Sequence, residues 1–144
     1  MKSIKTFVLG LACAATLASC AQPITAAAAS KMADGYSISK ATSAGYAKCH
    51  LVTKTSDGKN TEEDLTGAGL TLLIGTLVPV NIAAVKSAAL IEGVEFKADG
   101  DVLEFSYKDA DGAYEYKING DGLTLWSKVT TGSTWESNAY TWSK

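Results

Sequence analysis

Few residues in this chain have the types and spacing that chemistry requires. Cys49 and His50 are the first candidates, since an imidazole beside a thiol can activate it as a nucleophile. They fall in an alternating stretch that reads as a strand, where neighbouring side chains point to opposite faces, so the dipeptide cannot pair its own side chains. Cys49 then reads as a small core residue and His50 as a surface one. Asp109-x-Asp111-Gly112, with Asp99, Asp101 and Asp121 in turns nearby, invites a calcium site. An EF-hand loop, however, needs glycine at its sixth position and a bidentate Glu at its twelfth. Here glycine is fourth and Gly120 stands twelfth, which leaves hairpin turns. Gly67-Ala68-Gly69 opens like a dinucleotide fingerprint, but Leu72 takes the third glycine's place and no strand precedes it. Ser127, Ser133 and Ser137 have no identifiable base and acid. No metal, cofactor or catalytic residue is assigned, and the chain reads as a non-enzyme.

Composition narrows the classes further. The 144 residues include 13 Lys, no Arg, 15 acids and one His, for a net charge of −2. One domain of ordinary size fits that length. Nothing in it could neutralise a row of phosphates, the term that dominates nucleic-acid affinity, so nucleic acid is excluded as a partner. The absence of Arg also removes the planar fork that grips carboxylates and phosphates with two bonds at once.

The elements that must position any site begin with an export segment. Lys2 and Lys5 precede an apolar run from Phe7 to Leu17 and then small residues, the pattern of a signal peptide and too short to cross a bilayer. The ending Leu17-Ala18-Ser19-Cys20 resembles the lipobox of bacterial lipoproteins, which implies a signal over residues 1–19 and acylation of the Cys20 thiol at the new N-terminus. Cleavage within Ala26-Ala27-Ala28-Ala29 is the alternative and would release an unanchored protein. With Cys13 removed and Cys20 acylated, Cys49 is the remaining thiol and can form no internal bridge. Removing Lys2 and Lys5 leaves 11 Lys against 15 acids, a charge of −4, so acyl chains rather than basic residues would hold the membrane. Residues 20–33, rich in alanine and nearly free of charge, read as a lipidated tether.

Residues 34–144 read as one β domain. Tyr36-Ser37-Ile38-Ser39-Lys40 and Ala47-Lys48-Cys49-His50-Leu51 alternate as two strands, and Ser56-Asp57-Gly58 is a turn. A helical insert is expected at about 62–92. Thr61 and Asp64 suggest a capping box, Leu70, Leu73, Ile74 and Leu77 fall at helical spacing, Pro79 ends the helix, and Asn81 caps a second one. The twenty uncharged residues from Thr66 to Val85 raise a membrane span. Gly67, Gly69, Gly75, Pro79 and Asn81 argue instead for a buried helical hairpin. From Val94 onward, five alternating runs separated by short Asp, Asn and Gly turns predict an antiparallel meander. Its apolar face takes in Val94, Phe96, Leu103, Phe105, Tyr107, Tyr114, Tyr116, Ile118, Leu123 and Leu125. Glu95, Lys97, Glu104, Glu115, Lys117 and Lys128 take the wet face. The expected fold is mainly β, a small antiparallel barrel or strongly curved sheet with the hairpin across one end.

With its lipobox, helical insert and the run EFKADGDVLEFSY…YEYKINGDGLTLW, the chain resembles the lipocalin-like lipoproteins of Bacteroidetes. Gly35-Tyr36-Ser37 stands where true lipocalins carry G-x-W. The resemblance implies a lipid-anchored, non-catalytic envelope protein on the periplasmic face of the outer membrane. The absence of an acidic cluster after Cys20 favours that face. Nine of the twelve aromatic residues lie between Phe96 and Trp142. Phe96, Phe105, Tyr107, Tyr114 and Tyr116 are the residues expected to line a cavity for a small apolar ligand, if the barrel is hollow. In a packed barrel the same residues are core, and the protein works by binding another envelope component.

Overall fold

The computed structural model describes residues 21–144. The expected signal segment and Cys20 lie outside the described residues. Eight strands form one antiparallel sheet: β1 (Gln22–Ile24), β2 (Lys48–Thr55), β3 (Asn60–Leu65), β4 (Phe96–Asp99), β5 (Val102–Lys108), β6 (Ala113–Ile118), β7 (Thr124–Thr131) and β8 (Thr134–Ser143). Their order is β1-β4-β5-β6-β7-β8-β2-β3, so β1 and β3 stand at opposite edges and the sheet is open rather than closed into a barrel. The strands from β4 to β8 follow the meander read from the turns. Asp57-Gly58 also turns as expected, with Gly58 at φ 92°, a conformation glycine adopts without steric cost.

The segment expected to be a tether is folded from Gln22. β1 pairs with β4, setting Gln22 opposite Ala98 and Ile24 opposite Phe96. Ala26–Asp34 forms α1, with the Thr25 hydroxyl accepting from the Ala28 N–H at 3.0 Å. The alanine run that looked flexible is the best helix former available once a cap starts it. Likewise Ile38–Ser43 is a helix, α2, rather than the expected strand, because Ser37 caps the Lys40 N–H at 3.0 Å. Five alternating residues are too few to distinguish the two periods.

The expected helical hairpin is one helix, α3 (Gly67–Ala88), which continues unbroken past Pro79. It buries Leu70, Ile74, Val78, Asn81, Val85 and Ala88 in the core shared with the sheet. Pro79 removes one helix bond, at a cost of about 3 kcal/mol in an isolated helix. Anchors on either side of it, Val78 and Asn81, hold the helix together. Asn81 caps nothing. Its amide donates to the Gly122 carbonyl at 2.7 Å and to the Thr124 hydroxyl at 2.9 Å. Thr61 and Asp64, read as a capping box, lie in β3, because pairing with β2 over Lys54 to Cys49 outweighs a local cap.

α3 links β3 to β4, which stand six strand spacings apart. At about 4.8 Å per spacing that is about 29 Å, and 22 residues of helix reach about 33 Å. α3 is therefore long enough to cross the sheet from β3 to β4. α1 and α2 pack against it, burying Ala29, Ala33 and Ala41.

Candidate interaction faces

Register divides the sheet into two unlike faces. Phe96 lies opposite Phe105, Phe105 opposite Tyr116, Tyr107 opposite Tyr114, and Leu103 opposite Ile118, so all five expected site residues share the inner face with the helices. They form one ladder. Ring centroids are 5.3 Å apart for Phe96 and Phe105, 5.1 Å for Phe105 and Tyr116, and 4.9 Å for Tyr107 and Tyr114. Phe96 and Phe105 are buried, while the three tyrosines are partly exposed. Most rings in the ladder are stacked on their neighbours, so their faces are largely occupied by one another and the tyrosines are left with edges and hydroxyls to offer. Burial, followed by the neighbouring Tyr107 and Tyr114, pushes the Tyr116 phenol up to about 12.

A second aromatic group joins Tyr46, Trp142 and Tyr140, with centroids 5.6 and 6.3 Å apart. The Trp142 indole donates to the Thr124 carbonyl at 3.0 Å, and the Tyr46 hydroxyl donates to Asp121 at 3.2 Å. Burial and then Asp121 raise the Tyr46 phenol. The Tyr36 ring presses on Gly122, which has φ 92°, and its buried hydroxyl has no partner among the described residues. Cys49 is free and buried, opposite Trp142, and burial lifts its thiol to about 11, which makes it inert.

The outer face is the charged one. Lys97 lies opposite Glu104, Glu104 opposite Lys117, and Glu115 opposite Lys128. His50 bridges two carboxylates of β3, with Nδ1 2.7 Å from Asp64 and Nε2 2.9 Å from Glu62. The hydrogen bond to Asp64 and then that to Glu62 raise the imidazole pKa.

Set among these charges are Trp126 and Trp135, which sequence reasoning did not place. Trp126 lies between Lys117 and Ala139, and the Lys128 ammonium sits 4.8 Å above the Trp135 ring. A usable signal was present. Trp126 stands two residues from Lys128, already read as solvent-facing, and residues two apart share a face. Leu125, expected inside, is the extra residue of a bulge: the register shifts so that Ile118 meets Thr124 and Lys117 meets Trp126.

An open cleft of about 360 Å³ lies where the β2–β3 turn meets the β7–β8 hairpin, lined by Thr55, Ser56, Asp57, Trp135 and Glu136 among others. Much of its polar surface is already engaged. The Thr55 hydroxyl donates to Asp57, Ser56 Oγ accepts from the Trp135 N–H, and the Thr134 hydroxyl donates to the Thr131 carbonyl. A ligand there would have to displace these bonds.

The arrangement suits contact through surfaces: an aromatic-and-charge patch on one side, and an apolar helix beside tyrosine edges on the other. No family model, curated protein or solved structure matches the chain.

Proposed function

We propose that this protein is a lipid-anchored, non-catalytic envelope protein whose packed β domain works through its surface, binding another envelope component rather than holding a small apolar ligand. One observation carries the reading: the five residues expected to line a cavity stack on one another in an open sheet. From the lipocalin-like resemblance it keeps the anchor and the antiparallel sheet and omits the hollow barrel. The surface offered to the partner is the Trp126 and Trp135 patch, since tryptophan is among the residues that dominate protein interfaces. Anchoring at Cys20, on the periplasmic face of the outer membrane, is part of the proposal. Its support is the lipobox, together with the place of the rival cleavage site: cutting within Ala26–Ala29 would remove β1 and the cap of α1.

Tyr116→Ala tests the packed reading. In a solid ladder the truncation leaves a void and should cost about 2 to 4 kcal/mol, less than a fully buried ring because Tyr116 is partly exposed. The wild type should bind no environment-sensitive apolar dye. A dye bound by the wild type, with its uptake altered by Tyr116→Ala and a loss of only about 1 kcal/mol, would restore the ligand-binding reading.

A further inference from the structure

α3 is a core helix on one side and bare on the other. Leu72, Thr76, Val80, Ala83 and Ser87 recur every three to four residues along it and Leu90 follows just past its C-terminus, and all are exposed, Leu72 at 72%, Val80 at 51% and Leu90 at 88%. The helix carries a single charge, Lys86, whose ammonium is bonded to Ser30 and Asp34 of α1. Two of its exposed hydroxyls turn inward as well: Thr71 donates to the Gly67 carbonyl at 3.2 Å and Thr76 to the Leu72 carbonyl at 2.9 Å. A surface that is uncharged and satisfies most of its own donors suits the apolar side of a bilayer interface.

The chain's connection to its anchor says what covers that surface. β1 begins at Gln22, two residues after Cys20, and two extended residues reach at most about 7 Å. An acylated Cys20 therefore holds the folded domain flush with the bilayer, and some face must rest on it. The outer sheet face, with Lys97, Glu104, Glu115, Lys117 and Lys128, is excluded by the cost of desolvating charge. The exposed stripe of α3 carries no charge and has no such cost, and the Glu63 carboxylate on the same side belongs to the β3 edge. The helix side also carries the half-exposed Tyr107 and Tyr114, whose apolar rings and hydroxyl tips suit the headgroup layer.

We infer that the exposed stripe of α3 lies in the bilayer interface as a second attachment, fixing the domain with its charged tryptophan-bearing sheet face away from the membrane. The inference rests on acylation of Cys20. It deepens the proposed function, because it decides which face a partner can reach.

The test uses the acylated full-length product in phosphatidylcholine vesicles, its Cys20 modification verified by mass. Leu72→Cys, Val80→Cys and Leu90→Cys, all at exposed positions, are labelled with a fluorophore, and Thr141→Cys on the outer face is the control; Cys49 is shielded by burial. With brominated acyl chains present, the three helix labels should be quenched at least three-fold more than the control, and added salt should leave the ratio unchanged. Equal quenching on an acylated protein overturns the inference and leaves the anchor standing. An unmodified Cys20 removes the anchor and the inference together. Helix labels that stay unquenched while Val80→Cys cross-links to a second copy would assign the stripe to self-association, which also overturns it.

Discussion

At the scale of single residues, His50 is the group whose ionisation the fold uses. Its raised pKa means that the native state binds its proton more tightly than the unfolded chain, so its stabilisation is complete below the ordinary value of 6.5 and is lost as pH rises through the folded value. Asp64 works in the opposite sense. The hydrogen bond from His50 holds its carboxyl below the usual 3.8, so its contribution is complete above that value and is lost as pH falls through the folded one. The clamp is therefore at full strength between about pH 4 and 6.5. Urea midpoints of the wild type and His50→Gln should differ most in that window and converge above it, whereas a difference independent of pH would show that the clamp does not act through ionisation. Asn81 acts through neutral hydrogen bonds instead. Asn81→Leu strands the Gly122 carbonyl and the Thr124 hydroxyl in the core, at a cost of about 1 to 3 kcal/mol for each group, and should lower the midpoint accordingly. A neutral substitution would mean that water reaches both groups.

At the scale of elements, local signals and tertiary pairing compete, and the winner differs from place to place. Ser37 and Thr25 each win with a single cap bond, turning an expected strand and an expected tether into α2 and α1. Thr61 loses, because six cross-strand pairs with β2 outweigh one cap. Pro79 loses as well, because the α3 residues on either side of it are locked to the sheet. The tether and the helix make different forecasts. Thr25→Ala should cost about 1 kcal/mol if α1 is part of the cooperative unit and nothing if the segment is free, and chemical denaturation separates the two. Gly122→Ala is an element-scale probe of the other partner of α3. Its φ of 92° and the adjoining Tyr36 ring leave a methyl group no room, so a loss of more than about 1 kcal/mol is expected at the β6–β7 turn.

At the scale of the whole molecule, an open sheet must keep its two edges from pairing with other chains. β1 is three residues long and contains Pro23, while β3 carries Glu62, Glu63 and Asp64 in succession. Glu63→Val keeps the His50 clamp and removes the charge on the helix side of that edge. The variant should sediment faster than the wild type as concentration rises, and unchanged sedimentation would show that the remaining charges suffice. The sequence by itself determined what depends on neighbours a few residues apart. The five meander strands, the Asp-Gly turns, the common face of Phe96, Phe105, Tyr107, Tyr114 and Tyr116, and an apolar helical insert at about 62–92 all follow from alternation, positive-φ demand and helical spacing. Only the tertiary structure decided whether the sheet closes, what Asn81 bonds to, that α3 is one helix, and that β1 completes the edge beside β4. Closure depends on whether β1 meets β3 across the whole molecule, and α3 survives Pro79 because residues more than forty positions away grip Asn81. Contacts at that separation leave no periodic trace in a single chain. They are set by which faces must be buried together, and a sequence without its partners in space records only that the faces exist.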